Sequence, residues 1–204
     1  KEKIVHTITE VSSSKITDQM KFALAGLRTP NSWFSTKVSL KRYINNIEKT
    51  CKYPMVIKDS LGSRGLFSSY ITDATDLFAT RISLPREKQY IIQEFVHNDY
   101  EWGILVANGA IVSAEKSYPA NGEFRNNACN GAKEVFVDIK DIPNSICEIV
   151  YKAVSVLNLD WCRVDIFEDN NTGEVYLLEV NRFPGITTGS DEELGASTFM
   201  DSLL

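Results

Sequence analysis

Asp165, Glu179 and Asn181 are the residues of this sequence best placed to do chemistry together. In "YLLEVN", residues 176–181, a carboxylate and an amide flank an apolar valine, so on an extended backbone both leave the same face. The preceding apolar stretch "WCRVDIF" carries Asp165, and a turn near residues 170–173 folds the two stretches into a hairpin with Asp165 opposite or diagonal to Glu179. Two carboxylates that close repel each other unless a cation sits between them. Oxygen donors without His or Cys favour Mg²⁺, which keeps waters and bridges to phosphate oxygens. Carboxylates on a strand edge facing water are the plain alternative for this feature taken alone.

A second group is suited to anions. In "VIKDSLGSRGLFSS", Lys58 ends an apolar strand, and a turn rich in small residues follows, with Ser60, Gly62, Ser63 and Gly65 before Ser68 and Ser69. Such residues let backbone N–H groups approach a phosphate, with the lysine to neutralise it. The Walker spacing is absent, and taken alone the segment reads more readily as a flexible hairpin with a solvated lysine. Further on, "IIQEFVHNDYEWG" ends one strand at Glu94 and opens the next at Glu101. The backbone of Glu94, Phe95 and Val96 could serve an adenine edge and the Glu101 carboxylate a pair of ribose hydroxyls, although read alone the segment is only a strand and a polar turn.

The elements that must position these groups follow from periodicity. Helical spacing of Met20, Ala23, Leu24 and Leu27 predicts a helix over 17–27 with those residues facing inward, and a second helix is predicted over 39–51. A strand begins at Pro54, a short helix starts near 73, and strands follow at 89–96, 101–107 and 110–117, the last two joined by a tight turn at Asn108-Gly109. The polar loop "PANGEFRNNACNGAKE" precedes a helix over 143–157 whose inner side is Ile146, Ile149, Val150, Ala153, Val154 and Leu157. The hairpin carrying Asp165 and Glu179 follows, and "ASTFMDSLL" reads as a short amphipathic helix. Mixed helices and hairpin-joined strands give an α+β class with largely antiparallel sheets.

Composition sets the outer bounds. The 204 residues are 43% hydrophobic and 24% charged, enough to bury a sizeable core in one or two units. With 22 Lys plus Arg against 27 Asp plus Glu, the formal charge of -5 argues against nonspecific binding to nucleic acid or an anionic membrane. Cys51, Cys129, Cys147 and Cys162 have no metal-finger spacing and read as reduced thiols of a cytoplasmic protein. The two histidines, His6 and His97, have no Ser or Cys signature around them, which disfavours a nucleophilic triad.

The order of the pieces carries more than any one of them. Lys15, Lys58 with its small-residue turn, "QEFV", Glu101, "GEFRNN", "VDIF" and "LLEVN-x-x-PG" resemble, in sequence, the ATP-grasp enzymes, and most closely the RimK-type and LysX-type carboxylate–amine ligases. The resemblance implies ATP held between two α+β subdomains: residues 1–30 as linker and first helix, 31–92 as a lid bearing the phosphate loop, and 93–204 as a core bearing the metal site. It implies phosphate contacts from Lys15 and Lys58, and from Arg125, Asn126 and Asn127 beside them. Asp165, Glu179 and Asn181 would hold two Mg²⁺ ions, with Mn²⁺ as a substitute. Arg125 would stabilise the tetrahedral adduct, with Lys116 as a helper.

The implied activity is ATP-dependent ligation of a carboxylate to an amine through an acylphosphate, of the kind that ligates amino acids such as glutamate. ATP, an acid and an amine are the implied partners, with a homo-oligomer as a further option for the intact protein. Departures fall at the substrate end. The family's Asp at the ribose position is Glu101, the Arg two residues on is Gly103, and "CNGA" puts Asn130 where relatives often carry a cation. "CRVDIF" and "FPGITTGS" look more like the D-alanine–D-alanine ligase branch, so Asn130, Arg163, Thr187 and Ser190 are expected to read substrates. A kinase on the same fold and a nucleotide-binding module without catalysis stay open as alternatives. The chain also reads as a fragment, since the family usually carries a further α/β domain ahead of this region.

Overall fold

The computed structural model describes residues 14–62, 68–126 and 128–202. Ser63, Gly65 and Asn127, expected at the phosphates, lie outside the described residues. The first sheet has the order β1-β4-β2-β3, from β1 (Ser32–Thr36), β2 (Met55–Asp59), β3 (Ser68–Ile71) and β4 (Gln89–Glu94). The second has the order β7-β6-β5-β8-β9, from β5 (Glu101–Ala107), β6 (Ala110–Tyr118), β7 (Lys133–Phe136), β8 (Trp161–Glu168) and β9 (Val175–Asn181). Every strand pairing is antiparallel. The first sheet runs to Glu94, past the boundary expected at 92. The predicted β5–β6 turn forms, with Asn108 at φ 50° and Gly109 at φ 74°, the left-handed pair that a two-residue hairpin needs. β1 and β7 went unpredicted, since "SWFST" and "KEVF" are short and lie beside polar or turn-like sequence.

Each sheet is covered on one face. Helices α2 (Lys37–Arg42), α3 (Ile44–Cys51) and α4 (Ala74–Ser83) bury Leu40, Ile47 and Leu77 with Met55, Ile57, Ile71 and Ile92 of the first sheet. The helix predicted over 39–51 is thus two, divided at Tyr43, where φ −112° and ψ 20° leave the helical region. Helix α5 (Asn144–Leu157) lays Ile146, Val150, Ala153, Val154 and Leu157 on Trp102, Ile104, Val106, Val164 and Ile166 of the second sheet. Its αL cap at Asn158 ends it.

Helix α1 (Lys15–Leu24) corrects the expected inner face. Met20 and Leu24 are exposed, whereas Asp18, Gln19 and Phe22 are buried. The reason is polar: Arg182 makes two hydrogen bonds to Asp18, at 2.6 and 2.9 Å, and Gln19 Nε2 donates to the Leu178 carbonyl at 2.7 Å. These bonds turn the helix so that Phe22 enters the core, and the capping box between Ser14 and Thr17 fixes its start at Lys15. The last helix, α6 (Asp191–Asp201), begins earlier than "ASTFMDSLL" suggested, because Ser190 caps an acidic first turn. Among the described residues no helix is long and apolar enough to cross a membrane. All four cysteines are free thiols.

Candidate active site

The face of the second sheet opposite α5 carries the charges. Direct pairing aligns Phe136, Glu115, Gly103, Asp165 and Glu179 in one row across β7, β6, β5, β8 and β9. A neighbouring row aligns Glu134, Ser117, Glu101 and Phe167. Residues directly opposite in an antiparallel ladder share a face, so the predicted meeting of Asp165 and Glu179 is realised as a direct pair. A bulge at this point leaves Leu178 unpaired between them and the next rung. Leu178 and Glu179 therefore both border the cleft that faces the first sheet.

That cleft has about 780 Å³ of empty space, part of it open to solvent. Val56 and Phe95 face Phe167 and Leu178 across it, and Glu94 and Val96 border it from the strand end. Glu94 is not a free acceptor: its two oxygens take hydrogen bonds from the Asn31 backbone and side chain, both at 2.8 Å. From the polar loop, Phe124 reaches Tyr70 of β3, ring centroids 5.5 Å apart, and brings Arg125 and Asn126 to the cleft. Arg125 is gripped by Glu123, through Nε at 2.9 Å and Nη2 at 2.6 Å, and this bond holds the Glu123 carboxyl down to about 2.

At the charged end Lys15, Lys58, Glu101, Asp165 and Glu179 converge. Lys15 pairs with Glu179, and Asn181 Nδ2 donates to Asp165 Oδ2 at 2.5 Å. Burial pushes the Lys58 ammonium down to about 8, against an opposing pull from Glu179. Burial also raises the Glu101 and Asp165 carboxyls, each further raised by neighbouring carboxylates and lowered by Arg163. Burial acts the same way on Glu179, but Lys15 and Lys58 outweigh it and hold this carboxyl below its usual range.

Arg163, expected to read substrate, is instead fixed within the protein. Its Nη2 contacts Glu115, its Nε donates to Asp165 at 3.1 Å, and its Nη1 lies 3.5 Å from Glu192 of α6. Burial opposes the charge, but Asp165, Glu115, Glu192 and Glu101 hold its pKa above the ordinary value. Gly103 makes this path available: a Cβ there would sit 2.1 Å from Arg163 Nη2. The guanidinium thus crosses over β5 to reach β6.

The remaining expectations divide. Gly62 borders a second opening between α1 and the end of β2, on the far side of Lys15 and Glu179. Thr187 lines a third, with about 1480 Å³ of empty space, part of it open to solvent, which continues from Glu101 and Asp165 past Arg163. Asn130 does not line that cavity, and its Nδ2 is buried without a partner. Ser190 is a helix cap rather than a substrate contact, accepting from the Glu192 N–H at 3.2 Å and donating to the Thr187 carbonyl at 2.5 Å. Lys116 is corrected outright: it pairs with Trp102 and projects from the opposite face, its Nζ 4.2 Å from the Tyr100 ring centroid and 4.6 Å from that of Trp102. Glu115, Glu123 and Glu192 were not foreseen. For Glu115 a signal existed, since Ser113, Glu115 and Ser117 alternate with Ala114 and Lys116 along β6.

Among the described residues no group of three or more His, Cys, Asp or Glu gathers tightly enough to form a metal centre by itself. The donor set nevertheless fits a hard cation shared with a ligand: Asp165 and Glu179 face each other, and Asn181 is bonded to the first. Beside them Asn126 is hydrogen-bonded to Glu101 and keeps Oδ1 buried without a partner.

The sequence profile of the RimK-like ATP-grasp domain matches residues 12–198. A probable alpha-L-glutamate ligase of Psychromonas ingrahamii is 26% identical over 181 residues, covering 86% of this chain and 57% of that protein. Another, of Halorhodospira halophila, is 33% identical over 147 residues, covering 68% of this chain and 47% of its own length. This chain therefore spans about half the length of these curated relatives. Among solved structures, the VanG D-Ala:D-Ser ligase of Enterococcus faecalis superposes with a TM-score of 0.75 at 20% identity, over 93% of this chain and 60% of that one.

Proposed function

This chain belongs to the RimK-like ATP-grasp domain family, and on that footing we propose that it is the nucleotide-binding and catalytic part of an ADP-forming carboxylate–amine ligase. The observation that carries the reading is the convergence of Glu101, Asp165 and Glu179 on one sheet face, beneath Lys15 and Lys58, at the end of a cleft with apolar walls. Phe95, Val96, Phe167 and Leu178 suit a purine, Glu101 suits ribose hydroxyls, and the charged end suits the triphosphate. In this reading residues 31–94, with the whole of the first sheet, form the lid and the remainder the core. Asp165, Glu179 and Asn181 would hold Mg²⁺, which when bound neutralises charge on the phosphate oxygens.

The chain's own groups then act in two steps. A substrate carboxylate oxygen attacks the γ-phosphorus, forming an acylphosphate as the bond to ADP breaks. Lys15, Lys58 and Arg125 neutralise charge that spreads over the transferring group. The amine nitrogen then attacks the acyl carbon, loses a proton, and inorganic phosphate leaves as the C–N bond forms. Glutamate is the first acid to try. The test is to supply the intact protein with MgATP, candidate acids and hydroxylamine. Acid-dependent ADP release with a hydroxamate product supports the proposal. A stable phosphorylated product instead indicates a kinase, and nucleotide binding without ADP release from any pair of substrates indicates a binding module.

A further inference from the structure

We propose that the cavity beyond Arg163 takes the amine substrate as a cation, with the Glu134 carboxylate as its recognition group; this rests on the ligase reading above and names its acceptor class. The first observation is placement. Glu134, Ser117 and Glu101 form one row across β7, β6 and β5, so Glu134 stands two strands, about 10 Å, from the nucleotide end on the same face. Ser117 between them is small and buried, and its hydroxyl is turned to Glu115 at 3.1 Å. Both Glu134 and Glu101 line one cavity.

The second observation is orientation. Thr187 Oγ1 donates to Glu134 Oε2 at 3.0 Å, and the Thr187 N–H donates to Glu192 at 2.9 Å. The loop opposite thus fixes one oxygen of Glu134 and leaves Oε1 to a further donor. The third is what is missing from the wall. Among the described lining residues Arg163 is the single cation, and Glu115, Asp165 and Glu192 already hold it. An acceptor with a distal carboxylate would meet Glu134 and Glu101 with no guanidinium to receive it, whereas a distal ammonium meets an aligned carboxylate. Phe183, Pro184 and Ile186 of the same wall suit the methylene chain between the two ends.

The test compares 1,4-diaminobutane with 4-aminobutanoate, equal in length and opposite in distal charge, by calorimetry on the intact protein with Mg²⁺ and a non-hydrolysable ATP analogue. The diamine is expected to bind at least about tenfold more tightly, Glu134→Gln to lose about tenfold of that affinity, and Glu134→Asp to keep most of it. Glu134→Lys should reverse the preference. Absence of diamine binding, tighter or equal binding of 4-aminobutanoate, or diamine affinity unchanged in Glu134→Gln would overturn the assignment. The two readings fail separately. Diamine binding that depends on Glu134, with no ADP released when ATP and acids are supplied, retains the cation site and refutes ligation. ADP release that prefers 4-aminobutanoate as amine retains ligation and refutes the cation site.

Discussion

The second sheet has two faces made by the same strands, and they solve opposite problems. On one, Trp102, Ile104, Val106, Val164 and Ile166 pack under α5 and need nothing but volume. On the other, one residue along, Glu101, Glu115, Asp165 and Glu179 crowd together with Arg163, Lys15 and Lys58. Strand alternation lets a single backbone carry both, so the apolar face anchors the strands while the charged face bears like charges in near contact. Buried charge of that kind seldom repays its desolvation in stability. The contrast therefore teaches that stability and chemistry are separable here at single-residue spacing, and substitutions at adjacent positions should separate them experimentally.

The largest effect is expected from putting a charge on the wrong face. Val164 is fully buried beside Asp165, and Val164→Asp would bury a carboxylate among the apolar residues packed under α5. The expected cost is about 3–5 kcal/mol or more, read as loss of the cooperative unfolding transition at ambient temperature. A variant that stays folded with near-native stability would show that the two faces are not distinct environments. Next comes Glu179→Ala, which removes the partner of Lys15 and one side of the carboxylate pair. ADP release by the intact protein should fall by roughly 10²-fold or more, while the unfolding midpoint stays near that of the parent. Near-normal turnover would remove Glu179 from the site.

A smaller effect tests how the charged face is assembled. Gly103→Ala places a methyl group 2.1 Å from Arg163 Nη2, so the guanidinium must leave its path across β5 or the strand must move. A loss of about 1–3 kcal/mol is expected from the overpacking, together with reduced ADP release as Arg163 loses its hold on Asp165. In an Arg163→Ala background, itself costly because it strands buried carboxylates, the added cost of Gly103→Ala should shrink, because the methyl group then has space. An equal cost of Gly103→Ala with and without Arg163 would mean that Arg163 does not pass over Gly103.

How much of this could be read from the chain alone follows from the range of the signals. The hairpin of Asp165 and Glu179 was legible because its turn and alternation are local, and α5 because five apolar residues recur on one helical face. The orientation of α1 was not, since what buries Asp18 and Gln19 is Arg182 and the bulged Leu178 carbonyl, more than 150 residues away. The setting of Arg163 was hidden for a related reason. A cation in "CRVDIF" invites a substrate carboxylate, but its partners come from β6 and α6, and the gap that admits it is a missing side chain on β5. Long-range charge pairing and absent atoms leave little trace in local pattern.

The smallest effect concerns Lys116, expected as a helper at the tetrahedral adduct. Lys116 follows Glu115 directly, so alternation turns it to the face of Trp102, where its ammonium lies over the Tyr100 and Trp102 rings. Such a contact contributes about 0.5–1 kcal/mol where solvent reaches it. Lys116→Met keeps the length of the chain and removes the charge, so ADP release should be unchanged while the unfolding free energy drops by no more than about 1 kcal/mol. A fall in turnover with stability intact would mean that charge on this face is felt across the sheet. The separation of the two faces would then be one of packing alone, since the ammonium would be acting through the strands on groups it does not touch.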